Sequence, residues 1–129
     1  MPTRDVTALA LRVLGAFQLA QGALMVLAPR TFFDQIGPFG AYNDHYIRDV
    51  ATWYLALGAV FLVAAGRPRW RSPVLAFAAL QFGLHTLNHI VDVGDADKLG
   101  IGIFDAVSLG ALTAFFAWLW RRAEQEVPA

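Results

Sequence analysis

Apolar and polar positions along this chain fall into four long apolar runs separated by short breaks. The first runs from about Val6 to Ala28, with Thr3 as its expected N-cap and Pro29 closing it. The second runs from about Asp44 to Ala65, with Asn43 as cap and Gly66-Arg67-Pro68 as stop. Ser72-Pro73 opens the third, which continues to about Val93, and the fourth covers about Leu99 to Trp120. Each run holds roughly 20 residues, the length a helix needs to cross the hydrocarbon layer. Backbone groups there must be satisfied within the segment, so helices are the expected form. The pattern predicts an all-α, four-helix transmembrane bundle forming a single domain over residues 1–129. The first run is too long for a signal-peptide core, carries Arg12 and lacks a small-x-small cleavage site.

The connection between the first two spans is more than a turn. Thr31-Phe32-Phe33-Asp34 predicts a short capped helix in the interface, and Gly37-Pro38-Phe39-Gly40 breaks it. Its aromatic residues place it among the outer headgroups, either as a lid over the bundle mouth or as a simple anchor.

Composition supports the membrane reading. Of the 129 residues, 57% are hydrophobic and 16% charged, too little polar surface to cover a soluble domain this small. The lipid bilayer is therefore the expected surrounding. A formal charge of zero gives no reason to expect nucleic acid. The absence of cysteine excludes disulfides, thiolate metal sites and cysteine nucleophiles. Arg4, Arg12, Arg67, Arg69, Arg71, Arg121 and Arg122 lie toward one side of the threading, against Arg30 and Lys98 on the other, which predicts that both termini are cytoplasmic. Trp70, Trp118 and Trp120 are the expected inner-interface anchors. Nine arginines against one lysine, with abundant alanine, point to a GC-rich bacterial genome and so to a multi-pass protein of the bacterial inner membrane.

Against that background the ionisable residues inside the spans stand out. Read at about 1.5 Å per residue, His45 and Asp92 lie near the outer interface, with Asp49, His89 and Asp105 roughly 6–8 Å below it and His85 and Gln21 roughly 12 Å below. His85, His89 and Asp92 follow i, i+4, i+7; His45, Arg48, Asp49 and Thr52 follow i, i+3, i+4, i+7; Gln18 and Gln21 are three apart. Polar groups facing lipid are costly, so these faces are expected to turn inward and meet. Gly15 and Gly22, Ala56 and Ala59, and Gly102, Ala106 and Gly110 are the small residues expected at helix contacts.

Arg48 is the lone permanent cation set against Asp49, Asp92 and Asp105, a charge balance that calls for protonated histidine, a neutral carboxyl or a bound cation. His85-x-x-x-His89 presents two imidazoles on one helix face, the arrangement used for divalent metals, with Asp49 and Asp105 to complete the set. The same four residues are the candidate acid–base catalysts. His45, Arg48, Gln18, Gln21 and Asn88 are the candidate ligand-binding residues. Histidines that only hydrogen-bond to aspartates and knit the helices together are the bland alternative.

The run Pro29-Arg30-x-Phe32-Phe33-Asp34, then Tyr42-Asn43-x-His45-x-x-Arg48-Asp49, Tyr54-Leu55-Ala56-Leu57-Gly58 and His85-x-x-x-His89 resembles a family of small, uncharacterised four-span bacterial membrane proteins that are distantly DoxX-like. The resemblance implies membrane redox chemistry and a quinone-like ligand. Three functions compete. One is a membrane-embedded site for a metal or a small lipid-soluble ligand, open to the outer leaflet and acting in acid–base or redox chemistry. Another is an accessory subunit of a larger membrane complex whose polar layer only fixes helix packing. The third is a small transporter or proton relay working as a homo-oligomer.

Overall fold

The computed structural model describes residues 5–126. It contains five helices: α1 (Val6–Leu27), α2 (Pro29–Gln35), α3 (Asp44–Ala65), α4 (Pro68–Val91) and α5 (Leu99–Glu126). All but α2 are long and apolar enough to cross a membrane. Leu9, Val13, Leu80, Leu84, Leu87 and Val107 are exposed on their outer faces, where only a bilayer supplies a suitable solvent.

Local signals set most boundaries. Asn43 caps α3 as expected, its Oδ1 accepting from the Tyr46 N–H at 3.1 Å. Thr3 and Arg4 lie outside the described residues; the cap of α1 is Asp5, which accepts from the Ala8 N–H at 2.9 Å. Two expectations need correction. α4 begins at Pro68 rather than Ser72-Pro73, because proline at the first helical position lacks only an N–H that has no partner there anyway. α5 runs on to Glu126 instead of ending near Trp120.

The bundle is built from two tight pairs. α1 lies along α3 and α4 along α5, whereas α3 meets α4 over a shorter stretch and α1 barely touches α5. The first pair closes through glycine: a Cβ on Gly58 would sit 2.9 Å from the Gly15 carbonyl oxygen and 3.0 Å from the Leu19 nitrogen, and one on Gly15 would sit 3.0 Å from the Gly58 oxygen. Gly22 likewise faces Ala51 and Leu55. Ala56 and Ala59, expected at this contact, are instead exposed. The central core lies between the pairs toward the termini, where the Phe116 ring packs 5.5 Å from that of Phe61 and 4.9 Å from that of Phe82, amid buried Leu11, Leu75 and Leu119. A smaller cluster of Met25, Ile47 and Ala51 sits under α2 with Phe32 and Phe33.

The end of the bundle that carries the termini is fastened by Arg71, which is 6% exposed. Its Nη2 donates to Asp5 Oδ2 at 2.8 Å and to the Ala65 carbonyl at 2.9 Å, its Nη1 to Glu126 Oε2 at 2.9 Å, and its Nε to the Ala64 carbonyl at 3.4 Å. Thr7 adds a hydrogen bond to Glu126 Oε1 at 2.6 Å. The carbonyls at the C-terminus of α3 have no intrahelical donor and carry the negative end of its dipole, so a guanidinium is well matched to them. One cation thus joins all four long helices. The Asp5 carboxyl is held below its ordinary value: partial burial pushes it up, but the Ala8 N–H and the Arg71 guanidinium together outweigh that.

Candidate functional site

At the opposite end, next to α2, the two helix pairs diverge around a cavity of about 580 Å³. α1 contributes Gln18 and Gln21, α3 contributes Tyr54, α4 contributes His85, Asn88 and His89 with Asp92 just after its end, and α5 contributes Asp105 and Ser108. Most of the remaining lining is apolar. This is the general composition of a small-molecule site, an apolar chamber with a few convergent polar groups.

The roof is α2 with the loop that follows it. Phe32, Phe33, Ile36 and Phe39 all line the cavity. Arg30 holds the roof helix together, binding Asp34 at 3.0 Å and lying 4.9 Å over the Tyr42 ring. The loop is stitched to the α4–α5 connection by a backbone bridge between Phe39 and Ala96, and the Asp97 N–H donates to the Pro38 carbonyl at 3.1 Å. The expected short helix therefore forms, and with the loop after it makes one wall of the cavity.

The i, i+4 spacing of His85 and His89 brings their Nε2 atoms to 3.1 Å. The Phe39 ring meets His89 edge-on at 4.9 Å. Two neutral imidazoles at this separation share one hydrogen, so the tautomer of one fixes that of the other. His89 Nδ1 itself is buried with no hydrogen-bond partner among the described residues. Gln18 Oε1 is in the same state, on a residue only 1% exposed. A third such atom, Gln81 Oε1, belongs to a residue outside the lining.

The cavity thus gathers His85, His89, Asp105, Gln18, Gln21 and Asn88, as the helical spacings suggested. It does not gather the polar face of α3. Asp49 and His45 are 64% and 85% exposed and pair with each other at 3.4 Å, while Arg48 binds Asp44 at 2.8 Å. The inward side of α3 is taken by Ile47, Val50 and Tyr54 at the cavity and by Ala51, Leu55 and Gly58 against α1. Close approach of α1 demands small or apolar residues there, and the polar ones satisfy each other one turn apart on the outside. Asp49 is consequently not a partner of His85 or His89, and the four-residue metal set is not assembled. No group of three or more His, Asp or Glu suited to holding an ion occurs among the described residues.

Phe17 of α1 and Phe104 of α5 line the cavity and are also 54% and 70% exposed. They mark where the chamber reaches the surface, at the thin seam between α1 and α5.

Fold and cavity together define a small multi-pass helical membrane protein with a roofed internal chamber. The chain belongs to the family described as a domain of unknown function, DUF4345, whose model matches residues 6–91. That stretch covers α1 to α4 and includes the histidine pair and both glutamines; α5 and Asp105 lie beyond it. No curated protein and no solved structure matches the chain.

Proposed function

We propose that the chamber binds one small, uncharged, lipid-soluble molecule through Gln18 and His89, with His85, His89 and Asp105 as its acid–base groups. The observation that carries this reading is the pair of buried, unpartnered polar atoms, Gln18 Oε1 and His89 Nδ1, on residues that line one largely apolar cavity. Leaving such an atom unpaired costs about 1–3 kcal/mol, a penalty that a ligand with matching donors and acceptors removes by drawing the Gln18 amide and the His89 ring toward the chamber. Gln21 and Asn88 supply further amide groups for orientation. A redox role with a quinone-like ligand rests on the distant DoxX resemblance alone. The location that fits the arginine pattern is a bacterial inner membrane with cytoplasmic termini, since Arg67, Arg69, Arg121 and Arg122 cluster at the terminal end.

A metal is the weaker occupant. His85 and His89 provide two donors, whereas zinc sites take three or four protein ligands, and Asp49 stands elsewhere. A role confined to helix packing also fits less well, because packing residues are expected to be satisfied.

Substitution of Gln18 separates these readings. Organic extracts of detergent-purified protein, examined by mass spectrometry, are expected to contain one small amphiphile per wild-type chain. Gln18→Leu and His89→Leu should lower its recovery by about tenfold, the loss of one buried hydrogen bond each. Gln18→Leu should also raise the thermal unfolding midpoint of the ligand-free protein, because an unpaired amide leaves the interior. If Gln18→Leu instead destabilises the protein, or if wild type yields no such molecule, the binding reading fails.

A further inference from the structure

A second concavity lies on the outside of the bundle, lined by other residues than the roofed chamber. It is a groove of about 510 Å³ along the α3–α4 seam, nearer the terminal end. Its walls are apolar: Leu57 and Val60 on α3, Pro73 and Val74 on α4. At its mid-bundle end Trp53 and Phe77 stack at 5.6 Å with their planes 12° apart and close it off. At its other end stand Arg69 and Trp70.

Two features of that end bear on what occupies it. Arg69 has no hydrogen bond or ion pair among the described residues, while its neighbour Arg71 is turned inward and fully engaged. Arg67 lies 5.6 Å over the exposed Trp70 ring, which places a second cation beside the mouth at the level where tryptophan sits in a bilayer. From Arg69 to Phe77 the helix rises about 12 Å, a depth that leads from the headgroup layer well into hydrocarbon. A groove with a cationic mouth, an aromatic ceiling and apolar walls between them suits a molecule with an anionic head and an aliphatic tail.

We infer that this groove is a binding site for one anionic phospholipid, an acyl chain lying between α3 and α4 with its phosphate against Arg69 and Arg67. The argument is charge complementarity along the groove axis. A zwitterionic lipid fills the apolar part equally well but offers the arginines less net charge. A second copy of this chain would bring the same cations to the mouth and meet them with repulsion.

Native mass spectrometry of the full chain, released from detergent containing equal amounts of phosphatidylglycerol and phosphatidylcholine with matched chains, tests the site. Wild type should retain one phosphatidylglycerol about fivefold in preference. Arg69→Gln should abolish that preference, Arg121→Gln on α5 should leave it intact, and Ala56→Phe, which fills the groove from an exposed position, should lower retention of both lipids. Quenching of tryptophan emission by phosphatidylglycerol brominated on its chain should follow the same order among the variants. Equal retention of the two lipids by wild type, equal effects of Arg69→Gln and Arg121→Gln, displacement of the lipid by excess inorganic phosphate, or a lipid-free dimer would each overturn the inference.

Discussion

Replacing Arg71 with alanine is expected to lower the unfolding free energy by about 3 kcal/mol, the lower end of what breaking a buried ion pair costs. The lower end applies because Asp5 is about half exposed and rehydrates and the Ala64 carbonyl keeps the Arg67 N–H, whereas the Ala65 carbonyl loses its donor in a buried position. Arg71→Lys should recover only a minor part of this, since one ammonium cannot reach Asp5, Glu126 and two carbonyls together. Asp5→Asn should cost less, because Glu126 and the carbonyls keep their partner. Titration with a denaturing detergent, followed by circular dichroism, reads the order Arg71→Ala, Arg71→Lys, Asp5→Asn. An unchanged midpoint for Arg71→Ala would show that the four helices do not depend on this cation.

The same cluster sets an acid limit. The Asp5 carboxyl sits below the ordinary aspartate value of 3.8 in the folded protein, so its contribution is fully present above that value and is lost as pH falls through the lower, folded value. The wild-type unfolding midpoint should therefore fall at acid pH more steeply than that of Asp5→Asn, and the two curves should run parallel near neutrality. A wild-type curve no steeper in acid than that of the variant would remove Asp5 from the account.

The second large effect is expected at Gly58. A Cβ there would lie 2.8 Å from Leu19 Cγ, and its other two nearest neighbours, Gly15 O and Leu19 N, are backbone atoms that cannot rotate away. α1 and α3 must separate to admit it. Gly58→Ala should cost about 1–3 kcal/mol, and Gly58→Val more, through strain and lost contact along the whole pair. Gly83 provides the comparison: a Cβ there meets only Thr113 Cγ2 at 3.6 Å, so Gly83→Ala should be neutral or stabilising because alanine is the better helix former. Equal unfolding midpoints for Gly58→Ala and Gly83→Ala would contradict the close crossing of α1 and α3.

How much of this was legible follows from where each signal resides. The spans were readable because their stops are local: Asn43 before α3, Gly66-Arg67-Pro68 after it, Pro29 after α1. The histidine face was readable because i, i+4 spacing on a helix has one geometric meaning. The Arg71 cluster was not readable. Arg67, Arg69 and Arg71 alternate like a charged loop, and only once α4 starts at Pro68 does Arg71 fall inside the helix, facing the end of α3. The outward face of α3 was misread for a related reason. The rule that polar groups turn away from lipid competes with i, i+4 pairing on the surface, and Arg48–Asp44 and His45–Asp49 satisfy themselves locally. The unpaired Gln18 oxygen had no sequence signal beyond its company with Gln21.

The bundle is cinched at one extremity and merely shuttered at the other. With Arg71 joining them at that end, α1–α3 and α4–α5 are arranged like the two arms of a forceps, tied at the far end by the Phe39–Ala96 bridge and the Asp97–Pro38 hydrogen bond. Slow amide exchange is therefore expected around Ala64 and Leu75, and faster exchange near Phe17 and Phe104. For the proposed ligand, already dissolved in the bilayer, the exposed Phe17 and Phe104 mark a sideways way in that avoids water.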